Sequence, residues 1–181
     1  MADKKSIWDA AGRAGLVLGC VSIAYLTVTW LIGKFCTEGL ALAFGTGCTF
    51  ILWAVKLFVC IYLMRAFMLK FAAADNEADN SDTFKFGAAT AILSALIYSA
   101  FYLAYVLFIE PETFNSVVDM LSGNPMMDSN SIAEVERMVP KMPAISFVGN
   151  LIWCTLFGTV LSAILSRNIP SSNPFSLKDD N

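Results

Sequence analysis

The stretch that decides the fold is FGAATAILSALIYSAFYLAYVLFI, residues 86–109, which contains no charged side chain. An apolar helix of about 20 residues is long enough to cross a hydrocarbon core of about 30 Å. Three further windows are free of charge: 14–33, 39–55 and 142–166. The chain is 57% apolar and 15% charged, whereas soluble domains carry about 25% charge. These windows exclude an ordinary soluble domain and predict an all-α integral membrane four-helix bundle.

Span 2 is the one whose limits need interpretation. Its charge-free window ends at Lys56, but the apolar pattern continues beyond that residue, while Gly39, Gly45 and Gly47 weaken the preceding segment as a helix. Span 3 stops at Glu110-Pro111. The apolar run of span 1 is too long for a signal-peptide core, so we expect it to be retained. The predicted spans are 14–33, 47–68, 86–109 and 144–166.

Lysine and arginine are distributed unevenly between the two sides of this bundle. The tails 1–13 and 167–181 and the region between spans 2 and 3 carry eight of them, and the opposite side carries three. Cytoplasmic loops are enriched in these residues, so we expect both termini in the cytoplasm and the loop 110–143 outside. The eight are Lys4, Lys5, Arg13, Arg65, Lys70, Lys85, Arg167 and Lys178, and the three are Lys34, Arg137 and Lys141.

The outer loop predicts a short amphipathic helical hairpin. Its first helix covers about 113–121, and its second opens with the capping-box spacing of Ser131 and Glu134. The face of the second helix is apolar, and prolines end it. A hairpin lying on the membrane surface is favoured over a lid or a docking surface. The apolar face consists of Ile132, Val135, Met138 and Val139.

Composition excludes most catalytic and metal-binding chemistry. The chain has no histidine, its five cysteines show no C-x-x-C spacing, and no glycine-rich phosphate loop follows a plausible strand. A net charge of −3 argues against nucleic acid as a partner. We therefore name no catalytic, cofactor-binding or metal-ligating residue and expect no cofactor.

Lys56 lies inside predicted span 2, about 10–14 Å below its outer end at 1.5 Å per residue. An ammonium near the bilayer centre costs about 2.5–3.5 kcal/mol and indicates a functional site by default. Snorkelling of the side chain to the outer interface is the simpler interpretation, which this depth favours. The functional interpretation is an intramembrane polar cluster that holds an anion or a lipid head group. Its candidate members are Lys56, Tyr25, Thr27, Tyr98, Tyr102 and Asn150.

Small residues and hydroxyls recur at helical spacing in three spans. Such stripes let helices approach closely and bond across the interface, so helix packing is favoured over a permeation path. The small residues are Gly15 and Gly19 in span 1, Gly87, Ala91, Ala95 and Ser99 in span 3, and Gly158, Ser162 and Ser166 in span 4. The hydroxyl stripe of span 3 comprises Thr90, Ser94, Tyr98, Tyr102 and Tyr105.

Cys36 and Cys48 flank the short loop between spans 1 and 2. The outer compartment permits a disulfide between them, but two free thiols are at least as consistent with the other cysteines, which serve as apolar residues.

Several strings resemble a family of small four-helix inner-membrane proteins from Bacteroides-type bacteria, classified as a domain of unknown function (family 4199). They are ILWAVKLFVCIYLMRAFM (Ile51–Met68), TFKFG (Thr83–Gly87), ILSALIYSA (Ile92–Ala100) and FGTVLSAILSRNIPSSNPF (Phe157–Phe175). The resemblance implies four spans in the bacterial inner membrane. It carries no assigned activity.

The sequence thus favours a non-enzymatic accessory or scaffold protein of the membrane. Its partners are the lipid bilayer and either a second copy of the chain or another membrane protein. The alternative is a small transporter or a lipid- or anion-binding protein that uses Lys56 and the hydroxyl stripe of span 3. A membrane enzyme ranks third because no nucleophile–base pair can be named.

Overall fold

The computed structural model describes residues 4–36, 39–74, 79–123 and 128–169. Helices account for nearly all of this part of the chain, and it contains no strand. The helices are α1 (Lys4–Phe35), α2 (Gly39–Ala74), α3 (Asn80–Ala104), α4 (Asn115–Ser122), α5 (Ser129–Met138) and α6 (Met142–Arg167). A π-helical turn, Tyr105–Ile109, extends α3, and 3₁₀ turns precede α4 and α6.

Four helical stretches are long and apolar enough to cross a membrane, and they contain α1, α2, α3 and α6. Each predicted span lies within one of these helices. The helix α2 extends well beyond the predicted span 2 at both ends and begins at Gly39, which has the left-handed φ of +54° that favours glycine. The glycines that follow Gly39 do not break the helix.

The centre of the bundle is α3, which packs against α1 on one side and α6 on the other. Glycines permit both contacts. A Cβ added at Gly19 would lie 2.8 Å from Ile97 Cγ2, and one added at Gly158 would lie 2.5 Å from Ala91 Cβ. The Ser162 hydroxyl also donates a hydrogen bond of 3.0 Å to the carbonyl oxygen of Phe84. Small residues thus bring the helix backbones close together.

The hydrophobic core occupies one end of the bundle, called the core end below. The rings of Phe71 and Phe86 stack there with centroids 4.6 Å apart. Ile7 and Ile169 belong to the same cluster, so the first and last described helices meet at this end. The other members of the cluster are Ala11, Ala14, Leu18, Met64, Met68, Phe71, Ala72, Phe86 and Ala89.

The opposite end carries α4 and α5 and is called the hairpin end. There α2 packs mainly beside α1: a Cβ added at Gly45 would lie 2.8 Å from Cys36 Cβ. The side chains of Phe44 and Phe50 on this half of α2 are largely exposed. The bundle is therefore tight at the core end and open at the hairpin end.

The predicted hairpin forms, with one correction to its second helix. The N-cap of α5 is Asp128, whose carboxylate accepts a hydrogen bond of 3.1 Å from the Ser131 amide. The capping box that opens at Ser131 is therefore wrong, because Asp128 starts the helix nearly one turn earlier. The apolar face is half-buried at Ile132, Val135 and Val139 and exposed at Met138.

Candidate functional site

Lys56 occupies the middle of α2, and its ammonium lies between two tyrosine rings. Its Nζ is 4.9 Å from the ring centroid of Tyr25 on α1 and 5.1 Å from that of Tyr98 on α3. Both distances are within the range of a cation–π interaction. Lys56 has no carboxylate partner among the described residues. A half-buried cation is thus held by aromatic faces, with its charge uncompensated.

The ammonium lies well below the hairpin end of the bundle. Tyr25, at its level on α1, is nine residues before Lys34, which corresponds to about 14 Å at 1.5 Å per residue. Lys34 in turn lies beside Glu110, at the end of the π-helical turn. This distance agrees with the depth inferred from the sequence.

Two thiols accompany Lys56, and the sequence analysis did not assign them to the site. Cys60 lies one turn further along α2, and its thiol is in hydrogen-bonding contact with the Ser22 hydroxyl. Cys154 on α6 interacts electrostatically with Lys56 and Cys60. The four-residue spacing of Lys56 and Cys60 was the available signal, because it places both side chains on one helix face.

A ladder of tyrosines leads from Lys56 towards the hairpin end. The ring centroids of Tyr98 and Tyr102 are 6.4 Å apart, and those of Tyr102 and Tyr105 are 6.1 Å apart. Tyr105 lies close to Glu110. The three tyrosines of the predicted hydroxyl stripe therefore run from the ammonium to the rim of the bundle at the hairpin end.

The rim is formed by a cluster that sequence reasoning missed. Trp30 Nε1 donates a hydrogen bond of 2.8 Å to Glu110 Oε1, and Lys34 Nζ lies 3.9 Å from the same oxygen. Lys34 Nζ is also 5.0 Å from the centroid of the Trp30 ring. This cluster joins α1 to the end of the π-helical turn above the tyrosine ladder.

Two predicted members of the cluster do not contact Lys56. Thr27 is exposed on α1, and its hydroxyl donates to the carbonyl oxygen of Ile23. Two residues of helix separate it from Tyr25, so the two side chains lie on nearly opposite faces. Asn150 is half-buried on α6, one turn from Cys154 towards the hairpin end, and makes no hydrogen bond to Lys56.

A cavity of about 430 Å³ lies between α1 and α2 at the hairpin end. We call it the α1–α2 cavity. Tyr25 lines it and also contacts Lys56, so the cavity and the ammonium share one ring. Cys36 also lines it and, like Cys48, is a free thiol. The remaining lining residues are Thr29, Ile32, Gly33, Gly45, Thr46, Thr49, Phe50 and Trp53.

The predicted packing residues lie where the helices meet. A Cβ added at Gly15 would lie 2.9 Å from Leu93 Cβ, and one added at Gly87 would collide with the Ser162 hydroxyl. Thr90 is buried near the first of these contacts. Ala91, Ala95, Ser99, Ser162 and Ser166 are also buried. The core-end part of the hydroxyl stripe is thus enclosed by helix packing.

The described residues contain no group of histidine, cysteine, aspartate or glutamate that could hold a metal ion. The arrangement instead offers an uncompensated ammonium, aromatic faces and a neighbouring cavity. These are the elements of a site that binds an anion, since the ammonium supplies charge and the rings exclude water.

Fold and site together define a class: helical bundles with four stretches suited to membrane spans and a half-buried lysine between tyrosine rings. Within this class, the family model described as "Protein of unknown function (DUF4199)" matches residues 13–167. The chain belongs to this family, as the resemblance predicted. No curated protein and no solved structure matches it.

Proposed function

We propose that the protein is a non-enzymatic multi-pass membrane protein that binds an anion at Lys56, reached from the hairpin end. The observation that carries this proposal is the position of the ammonium between Tyr25 and Tyr98, with no carboxylate partner in the part of the chain that the structure describes. A charge at membrane depth costs about 2.5–3.5 kcal/mol, and a bound anion would compensate it. This position supports the anion-binding alternative of the sequence analysis better than it supports an accessory or scaffold function.

Packing at the core end favours binding over transport. The hydroxyl stripe, the candidate lining of a permeation path, is enclosed there at Thr90, beside the close contact of Gly15 with α3. The cluster around Phe71 and Phe86 fills the space between α1, α2 and α3 at that end. A ligand that reaches Lys56 from the hairpin end would therefore leave by the same route.

The proposal is non-enzymatic because no pair of nucleophile and activating base can be named among the described residues around Lys56. The chain contains no histidine, and Lys56 is accompanied by thiols and phenols. An ammonium, phenols and thiols can all donate hydrogen bonds to an anion.

Anion titration tests this function directly. The protein is reconstituted in nanodiscs of neutral lipid and titrated calorimetrically with acetate and with inorganic phosphate. We expect Lys56→Gln to abolish anion binding and Lys56→Arg to retain it. The matched control is Lys141→Gln, which removes an exposed ammonium outside the spans. Equal binding by wild type and Lys56→Gln would disprove the anion site.

We further propose that both termini face the cytoplasm of a bacterium and that the hairpin lies outside its inner membrane. The excess of lysine and arginine at the core end supports this orientation. So does the shared cluster of Ile7 and Ile169, which places the first and last helices at one end. In a cysteine-free background, a membrane-impermeant maleimide is expected to label Glu136→Cys in intact cells and Asn168→Cys only after lysis. The reverse pattern would invert the orientation.

A second candidate function is that of a scaffold or accessory protein. The observation in its favour is an exposed stripe on α2 with the four-three-four spacing typical of helix–helix seams. Its residues are Ile51, Val55, Phe58 and Tyr62. The stripe suits a second copy of the chain or another membrane helix. Disulfide cross-linking of Phe58→Cys in membranes tests self-association, with the lipid-exposed Val160→Cys on α6 as control.

A further inference from the structure

We propose that the α1–α2 cavity takes the apolar body of the ligand whose charged group is held by Lys56. The ligand class is an amphipathic monocarboxylate: one carboxylate attached to an unbranched or aromatic apolar body. This inference rests on the proposed anion site and specifies its ligand. The proposed ligand is thus an organic acid and not an inorganic anion.

The first support is that the cavity and the ammonium share a side chain. The Tyr25 ring lines the cavity and lies 4.9 Å from Lys56 Nζ. Trp53 also lines the cavity, nearly one helical turn before Lys56. Lys56 itself does not line the cavity, so a ligand there has its inner end at the ring that the ammonium contacts. The volume of about 430 Å³ falls within the range of about 300–1,000 Å³ that is usual for small-molecule pockets.

The second support is the hydrogen-bonding state of the cavity wall. The Thr29 hydroxyl donates to the carbonyl oxygen of Tyr25, and the Thr49 hydroxyl donates to that of Gly45, at 3.0 and 2.9 Å. Because both hydroxyls donate to carbonyl oxygens of their own helices, Thr29 and Thr49 present mainly their methyl groups to the cavity. Ile32, Phe50 and Trp53 add apolar surface. Such a wall suits a hydrocarbon or aromatic body and disfavours a sugar or a polyol.

The third support is the charge at the inner end. Lys56 brings one positive charge, and the adjoining groups are tyrosine rings and thiols. A monoanion neutralises one ammonium, whereas a dianion would leave a net negative charge at membrane depth. The charge balance therefore favours a monocarboxylate over a phosphomonoester or a dicarboxylate.

Gly33 gives a variant that fills the cavity without disturbing the fold. It lines the cavity, and a Cβ added there meets nothing within 4 Å. Gly33→Leu would occupy space that the proposed ligand requires. The matched control is Gly149→Leu on α6, where an added Cβ is also free of contacts and the position lies outside the cavity.

The test compares octanoate, acetate and octanol as ligands of the protein in neutral nanodiscs, with empty nanodiscs as the blank. We expect octanoate to bind at least about 100-fold more tightly than acetate, because its additional methylenes are buried in the cavity. Lys56→Gln should weaken binding of both acids. Gly33→Leu should weaken octanoate binding at least about tenfold while leaving acetate binding unchanged, and Gly149→Leu should affect neither.

The outcomes separate the two proposals. If acetate and octanoate bind equally in a Lys56-dependent manner, and Gly33→Leu has no effect, the anion site stands and the cavity inference is overturned. If binding of neither acid depends on Lys56, the anion site itself is disproved. If octanol binds as tightly as octanoate, the cavity takes apolar molecules without regard to charge, and the inference of a carboxylate ligand is overturned.

Discussion

Trp30 Nε1 donates a hydrogen bond of 2.8 Å to Glu110 Oε1, across 80 residues of chain. The bond fastens the hairpin end of α1 to the end of the π-helical turn that follows α3. Pro111 comes immediately after Glu110 and supplies no amide donor, so the helix stops where the side chain of Glu110 can reach α1. Beyond the tyrosine ladder, this contact links the two helices that contribute Tyr25 and Tyr98.

Trp30→Phe is expected to lower the stability of the bundle. The substitution retains an aromatic ring but removes the hydrogen bond to a carboxylate, and half-exposed Glu110 regains water in part, so the loss should be about 1 kcal/mol. Thermal unfolding in detergent measures it. The control, Trp153→Phe, changes a ring that is 72% exposed and should be neutral. Equal unfolding temperatures for both variants would show that the rim contact does not stabilise the bundle.

Gly158→Leu is expected to destabilise the contact between α3 and α6. An added Cβ would lie 2.5 Å from Ala91 Cβ, so the helices must separate, at a cost of about 1–3 kcal/mol. Gly149→Leu makes the same change on α6 where nothing lies within 4 Å, and it should be tolerated. The unfolding temperatures of the two variants are compared. A stable Gly158→Leu protein would contradict the close packing of these helices.

The sequence was sufficient to predict the four long helices, because a charge-free apolar run longer than 16 residues has few alternatives to a helix in lipid. The sequence was less informative about which face of a helix each residue occupies. Thr27 was assigned to the Lys56 cluster by depth alone, but at 100° per residue it faces away from Tyr25. Thr29, one turn beyond Tyr25, lines the cavity instead.

The sequence also did not reveal which side chains of different helices contact each other. The positions of Trp30 and Glu110 near the ends of predicted spans were visible, but their pairing depends on how α1 and α3 pack. The α1–α2 cavity likewise depends on how two helices pack, which no local pattern encodes. The helix α2 begins before the predicted span 2, and Gly45 within it is accommodated by close packing on Cys36 despite the low helix propensity of glycine.

Acidification is expected to weaken α5 through its N-cap. Hydrogen bonds from Ser131, through its hydroxyl and then its backbone amide, hold the pKa of Asp128 below its ordinary value of 3.8. The stabilisation is complete above that ordinary value and is lost as the pH falls through the lower folded-state pKa. The protection factors of residues 129–138 against hydrogen exchange, taken relative to the intrinsic rate at each pH, should therefore fall in acid. Asp128→Asn retains a capping oxygen and should remove this pH dependence, so persistence of the dependence in that variant would exclude the cap as its source.

Lys56→Leu is expected to stabilise the protein in the absence of ligand. Burying the ammonium costs about 2.5–3.5 kcal/mol, and each of the two ring contacts returns about 0.5–1 kcal/mol, so its removal should yield a net gain of about 0.5–2.5 kcal/mol. Thermal unfolding in neutral nanodiscs measures the gain, and Lys141→Leu, outside the spans, is the control. A residue that lowers stability is retained when its function outweighs the cost.

Addition of ligand should reverse this order. Octanoate at 100 times its dissociation constant would stabilise the wild-type protein by about 2.7 kcal/mol, because it binds only the folded state. Lys56→Leu would gain little, since the carboxylate lacks its counter-charge. The wild type would then be the more stable protein. If Lys56→Leu is instead less stable without ligand, the ammonium contributes to the fold through Tyr25 and Tyr98, and its lack of a carboxylate partner among the described residues ceases to be evidence for an anion site.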